Sequence, residues 1–140
     1  MITHPMLQFV IVIILSVIPI IPASSLQAAD LETQTNREGS VTVKVTPRDL
    51  SPQAKSWDFE IVFDTHTTAL DQDMRRMAVL SDGSETAQPP LAWDGDPPGG
   101  HHRKGVLRFQ PLPVSPKWLE LRINGIGSVS QRVFRWRLAE

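Results

Sequence analysis

The sequence contains no cysteine, and this absence removes several kinds of chemistry at once. Disulfides, thiolate metal ligands, a cysteine nucleophile and a lipid-modified N-terminal cysteine are all excluded. The stability of the folded chain must therefore come from its hydrophobic core. A site for a soft metal ion would have to use imidazole or thioether groups.

A strong net charge is also missing. The 140 residues include 14 Lys and Arg against 15 Asp and Glu, so no overall field favours nucleic acid as a partner. The charges are unevenly distributed, because residues 30–100 hold 13 acidic and 6 basic side chains while residues 101–140 hold 2 acidic and 8 basic. We expect the two sets to pair, since strands distant in sequence are often neighbours in a β-sandwich. A molecule with one acidic and one basic face is the alternative.

Catalytic signatures are absent as well. The chain has no Gly-x-Ser-x-Gly and no glycine-rich phosphate-binding motif ahead of a helix. Asp64 and His66 lie two residues apart near the end of one apolar-alternating run, but such a pair is common by chance. We therefore expect a protein that is not an enzyme.

The first 29 residues predict an export signal. An apolar run over residues 6–22 precedes a segment of small residues, 23–29, as in the hydrophobic and cleavage regions of a signal peptide. Pro19 and Pro22 favour cleavage because they would break the end of a spanning helix. The expected location is periplasmic or secreted. The run is also close to the minimum length of a membrane span, so an uncleaved leader helix anchored in the inner membrane is the alternative, and the only expected membrane contact.

Beyond the leader, residues 30–39 are polar and predict a flexible spacer, and residues 40–140 predict one domain. Alternating or apolar runs predict seven short strands, at residues 41–46, 57–64, 77–81, 86–93, 105–110, 117–124 and 132–138. Pro89 and Pro90 confine the fourth run to a sheet edge. The pattern indicates an all-β, immunoglobulin-like β-sandwich preceded by an N-terminal apolar leader helix.

One segment, residues 65–76, admits a helical turn. Thr68 stands three residues before Asp71, a spacing that is typical of a helix N-terminus. The segment lacks a sustained apolar period, and we expect a loop or a short edge strand there.

The stretch WDGDPPGGHHRKGVLRF, residues 93–109, is the main candidate for function. It predicts a long loop over residues 94–104, loosened by its adjacent glycines, between two apolar segments. We expect this loop to form the interaction surface of a non-catalytic binding or accessory domain whose partner is an unidentified envelope protein. The candidate binding residues are Trp93, Asp96, Gly99, Gly100 and Arg103.

A periplasmic copper- or zinc-binding module is the alternative function. Imidazole suits both ions, and a carboxylate can act as a ligand or hold the second imidazole nitrogen. The candidate ligands are His66, His101, His102, Asp64 and Asp94. Adjacent histidines point to opposite sides of a regular strand, so His101 and His102 would share an ion only in a non-β loop. The simpler expectation is that they bond to neighbouring carboxylates or face solvent, and no cofactor is required.

Two further ligands fit parts of the same pattern less well. The amides of Gly99 and Gly100, followed by four basic residues, suggest a concave anion site, although no helix begins behind them. Asp64, Asp71 and Asp73 supply hard oxygen ligands for calcium, but the glycine and distal glutamate of an EF-hand loop are missing.

The four tryptophans suggest a carbohydrate platform, but their positions favour a different interpretation. Trp57, Trp118 and Trp136 lie in apolar-alternating runs and are expected in the core. Trp93, at the edge of the predicted loop, is expected to be half-exposed.

Four segments of the chain together carry a resemblance. They are Trp-Asp-Phe-Glu at 57–60, Asp-Thr-His at 64–66, the Trp93-to-Phe109 stretch with its PPGGHHR core, and Val-Phe-Arg-Trp at 133–136. Together they resemble a group of small exported bacterial immunoglobulin-like proteins of uncharacterised function. The resemblance spans nearly the whole chain after the leader, and it implies no activity.

Overall fold

The computed structural model describes Met1 and residues 31–85, 87–114 and 116–138. Within these residues the chain forms nine strands in two antiparallel sheets and one helix of four residues. This confirms the all-β prediction. The predicted leader, apart from Met1, lies outside the described residues. None of the described helical structure is long and apolar enough to cross a membrane.

The first sheet contains five strands, β1 (Gln34–Asn36), β2 (Val41–Pro47), β3 (Trp57–Thr65), β6 (Ala92–Gly95) and β7 (His102–Phe109). Their order in the sheet is β1-β2-β3-β7-β6. The central strand β3 is the strongly alternating run of the sequence, with every second side chain buried. It pairs with β7 from Trp57 opposite Phe109 to Asp64 opposite His102.

The second sheet contains four strands, β4 (Ala78–Ser81), β5 (Ala87–Gln88), β8 (Trp118–Ile126) and β9 (Val129–Arg137), in the order β5-β4-β8-β9. The predicted edge strand at 86–93 is therefore wrong as a single element. Pro90 lies between β5 and β6, which belong to different sheets. Because proline cannot donate to a strand ladder, the proline pair ends one strand and the chain crosses to the other sheet.

The core lies between the two sheets and is aromatic at its centre. The ring of Phe59 in β3 lies 5.8 Å from that of Phe109 in the same sheet and 5.5 Å from that of Trp136 in β9. Trp57 and Trp136 are buried, as predicted. Contacts of this kind join the inner faces of the sheets and supply most of the hydrophobic stabilisation.

The predicted spacer is wrong where it overlaps β1. The side-chain amide of Gln34 bonds to both the carbonyl and the N–H of Arg135 in β9, and the indole of Trp136 donates to the Glu32 carbonyl at 2.8 Å. These polar contacts tie β1 to the free edge of β9. They leave no trace in the apolar periodicity from which the spacer was predicted.

The short helix α1 (Met74–Met77) replaces the loop or edge strand expected near residue 76. Its N-cap is Asp73, whose carboxylate accepts from the Arg75 N–H at 3.0 Å, and Met74 is buried. The Thr68 cap is wrong, because the Thr68 N–H instead donates to the Thr65 hydroxyl at 3.2 Å. The helical turn therefore begins after Asp73 rather than after Thr68, and the buried side chain of Met74 packs it into the core.

Candidate functional site

The histidine-containing stretch, residues 93–109, forms the β6–β7 hairpin, and the loop that joins the two strands is shorter than predicted. Strand β7 already begins at His102, so the loop spans residues 96–101 only. Gly99 and Gly100 have positive φ angles of 119° and 73°. The Gly99 N–H donates to the Leu70 carbonyl at 2.9 Å, and the Gly100 carbonyl accepts from the Leu70 N–H at 3.2 Å. The loop is therefore bonded to the rest of the domain, and one glycine amide of the suggested anion site is occupied.

Arg103, predicted as a binding residue of the loop, lies inside the domain and is 2% exposed. Its guanidinium donates to the carbonyls of Asp96 at 3.1 Å, Leu70 at 3.1 Å and Gln72 at 2.6 Å. Burial lowers the pKa of Arg103, and nearby carboxylates led by Asp96 oppose that shift. An arginine remains protonated in such a setting. Its role is to join two backbone segments, around residues 70–72 and residue 96. Its position on the inner face leaves it no access to a partner.

Trp93 completes the same internal arrangement. Its indole N–H donates to the Asp96 carbonyl at 2.9 Å, and the Arg103 guanidinium lies 5.3 Å from the ring centroid. A side chain at Gly105 would meet the Trp93 ring at 2.6 Å, so this position requires glycine. Trp93 is partly buried against the core, in agreement with the sequence-based expectation. The candidate residues Trp93, Asp96 and Arg103 thus contact one another.

The candidate metal ligands do not meet in one place. His102 bonds through Nδ1 to the carboxylate of Asp64, its cross-strand partner, as the simpler interpretation expected. His101 and His66 are exposed, and Asp94 lies 3.9 Å from an Arg108 nitrogen. Across the described parts of the chain, no group of three or more His, Cys, Asp or Glu side chains is arranged to hold a metal ion.

The outer faces of the sheets differ in charge. On the first sheet the acidic side chains of β3 pair with basic neighbours, as Glu60 does with Arg48 at 2.8 Å and Asp58 with Arg108 at 3.4 Å. This is the interleaved arrangement expected from the two halves. On the second sheet β8 and β9 are adjacent and both come from the basic half, so their outer faces carry three arginines and one glutamate. These residues are Arg122, Arg135, Arg137 and Glu120.

Trp118 lies on this basic outer face and is 53% exposed, which overturns its predicted place in the core. The reason is strand parity, since Leu119, Leu121 and Ile123 take the inward positions of β8. The alternation of Leu119, Leu121 and Ile123 is visible in the sequence and would have placed Trp118 outward. The Arg137 guanidinium lies 6.0 Å from the Trp118 ring centroid.

Trp118 also differs from the other tryptophans in its polar group. The indole N–H groups of Trp57, Trp93 and Trp136 each donate to a backbone carbonyl, at 3.0, 2.9 and 2.8 Å. The indole N–H of Trp118 has no hydrogen-bond partner among the described residues. Tryptophans that present an apolar ring together with an accessible N–H donor are enriched at binding interfaces.

A cleft of about 340 Å³ opens beside this ring, lined by Asp82, Gly83, Trp118, Leu119, Glu120 and Arg135. Glu120 is buried at its floor and accepts from the Nε atoms of both Arg122 and Arg135. Burial alone would raise the pKa of Glu120, but the hydrogen bonds and charges of the two arginines outweigh it and lower the pKa. Its carboxylate is therefore ionised and both of its oxygens are held in place.

Asp82 forms the opposite wall of the cleft in a tight turn. Its carboxylate accepts from the Ser84 N–H at 2.9 Å, and the Gly83 N–H donates to the Ser81 hydroxyl at 3.0 Å. Hydrogen bonds from the side chain and backbone of Ser84 lower the pKa of Asp82. The cleft thus combines an aromatic ring with fixed carboxylates and a guanidinium.

Comparison of the chain with protein-family models, curated proteins and solved structures finds no match.

Proposed function

We propose that this chain is an exported, non-catalytic binding domain with an immunoglobulin-like β-sandwich fold. Its recognition surface is the outer face of the second sheet around Trp118. The observation that carries this proposal is the exposed ring of Trp118, whose indole N–H bonds to none of the described residues. The export signal predicted from residues 1–29 supports a role in the periplasm or outside the cell.

The energetics of an exposed tryptophan support this surface. A tryptophan side chain buries about 150–250 Å² in full, and Trp118 is 53% exposed, so roughly half of that area remains for a partner to cover. At about 25 cal/mol per Å² this corresponds to about 2–3 kcal/mol before the cost of association. Tryptophan and arginine are the residues that most often dominate binding interfaces. Here Trp118 is flanked by Arg135 and Arg137, and all three project from paired strands that hold them rigidly.

The hairpin supports the proposal less well. Trp93 and Arg103, the residues that would anchor a partner there, are used inside the domain. The exposed residues of the tip are Asp96, Pro97, Pro98, Gly100 and His101, none of which offers a large aromatic or guanidinium anchor. We assign to the hairpin the role of closing one end of the domain.

Site-specific photo-crosslinking in the cells that produce the protein tests the location of the surface. A benzophenone amino acid is placed at Val133, which is exposed on the proposed face, or at Pro98 on the hairpin tip. We expect adducts from position 133 that disappear with Trp118→Ala, and none from position 98. Adducts from position 98 alone, or none from either position, would contradict the proposal.

A further inference from the structure

We infer that the cleft beside Trp118 binds a neutral pyranose unit of a glycan, with the sugar ring stacked on the indole. This inference rests on the proposed function and names its ligand. Four observations support it: the aromatic wall, the mixed charge of the rim, the size of the cleft and its position over paired strands.

The aromatic wall suits the weakly polar C–H face of a pyranose. Trp118 is large and flat, and the Arg137 guanidinium lies 6.0 Å from its ring centroid. Arg137 is not among the residues that line the cleft whereas Trp118 is, and we infer that a sugar stacks on the side of the ring that Arg137 leaves uncovered. Contacts between an aromatic ring and a flat apolar surface contribute favourably in addition to the area that they bury.

The rim selects against charged ligands. Asp82 and Glu120 contribute two negative charges to the lining and Arg135 one positive charge. Glu120 is already paired with Arg122 and Arg135, so an anion would be repelled by the carboxylate of Asp82, and a cation would compete with the guanidinium of Arg137 at the indole. Hydroxyl groups, by contrast, can donate to the carboxylate of Asp82 and accept from the terminal nitrogens of Arg135, which have no partner among the described residues.

The position of the cleft argues against an extended peptide. The cleft lies over β8, which is hydrogen-bonded to β4 on one side and to β9 on the other. No unpaired strand edge is available there for a peptide to extend the sheet. Recognition must therefore use side chains alone, and about 340 Å³ is a volume at the lower end of small-ligand sites.

Titration of the isotope-labelled exported protein with saccharides tests the inference by NMR. The probes are neutral trisaccharides of glucose, mannose, galactose and N-acetylglucosamine, with a galacturonic acid trisaccharide as the charged comparison. We expect at least one neutral probe to shift the indole N–H resonance of Trp118, while those of Trp57 and Trp136 stay unchanged because they are bonded internally.

Three variants make the test specific. Trp118→Ala is expected to weaken binding by at least about tenfold, and Trp118→Phe by about threefold because it keeps a smaller ring. Val133→Ala, on the same face but outside the cleft lining, is expected to change the affinity by less than about twofold.

The outcomes separate this inference from the proposed function. Binding of the charged trisaccharide alone, or equal affinity in Trp118→Ala, would overturn the inference. No response to any saccharide, with Trp118-dependent crosslinks still present, would overturn the sugar ligand and leave the recognition surface standing. If neither saccharide binding nor Trp118-dependent crosslinks are observed, both the sugar ligand and the recognition surface are overturned.

Discussion

Replacement of Arg103 by methionine should strongly destabilise the domain. The change keeps most of the side-chain volume but removes three hydrogen bonds from a charged donor to backbone carbonyls. Bonds of this kind contribute about 1.5–3 kcal/mol each. The Leu70 and Asp96 carbonyls would keep a second donor, the Gly99 N–H and the Trp93 indole N–H, whereas the Gln72 carbonyl would lose its one donor among the described residues. We expect a loss of about 3–5 kcal/mol, which is below the sum for three such bonds because two of the carbonyls keep another donor.

Urea unfolding of the purified protein measures this loss. With an m-value of about 1.5 kcal/mol/M, the urea midpoint should fall by about 2–3 M. The corresponding loss of free energy is a large part of the about 5–15 kcal/mol that stabilises a typical domain. Arg103→Lys should recover less than half of the loss, since one ammonium group cannot reach carbonyls on separate segments. Arg75→Met, on the exposed surface of α1, is the matched control and should change stability by less than about 0.5 kcal/mol. A loss below about 1 kcal/mol for Arg103→Met would refute the reasoning.

Two further predictions concern the cleft floor and the hairpin. Because the folded pKa of Glu120 is lowered, its stabilising effect is present above its unfolded value of about 4.5 and is lost as the pH falls through the folded pKa. Glu120→Gln should therefore cost about 1–2 kcal/mol near pH 7, and the difference from wild type should shrink below pH 4.5 in urea unfolding series; a difference independent of pH would contradict the paired carboxylate. Gly105→Ala should cost about 2–3 kcal/mol in thermal unfolding because its methyl group would meet the Trp93 ring. Gly83→Ala, where space is open and only the positive φ is strained, should cost about 1 kcal/mol, and equal losses at the two positions would argue against the ring contact.

Two buried arginines, Arg103 and Arg132, form hydrogen bonds that join distant segments of a chain that has no disulfide. Arg132, 1% exposed, donates to the carbonyl of Ile126 at 2.7 Å, that of Glu38 at 2.8 Å and the amide oxygen of Asn36 at 2.9 Å. Arg103 does the same for the segments around residues 70 and 96. Each guanidinium satisfies several carbonyls at chain reversals, where no strand ladder is available to do so.

The sequence by itself determined the elements of the core. Alternation in β2, β3, β7 and β9 is a local property of consecutive residues, so the inward faces of these strands could be predicted. The alternation of inward and outward side chains in β8 is equally local. Because Leu119 and Leu121 point inward, Trp118 must point outward, and the prediction of a core position from its large apolar ring was wrong. The helix cap at Asp73 was missed because the burial of Met74 is a tertiary contact.

Tertiary structure alone decided what the polar residues do. The sequence distinguishes neither the buried Arg103 from the exposed Arg135 nor the internally bonded indole of Trp93 from the exposed indole of Trp118. The hairpin rich in histidine and glycine became a braced end of the domain because carbonyls from residues 70 and 72 meet Arg103 across more than thirty residues of chain. Hydrogen bonds over such distances depend on how the sheets pack, and no local pattern encodes them. The proposed recognition surface depends on the same packing, because β8 and β9, two strands from the basic half of the chain, are adjacent in the second sheet.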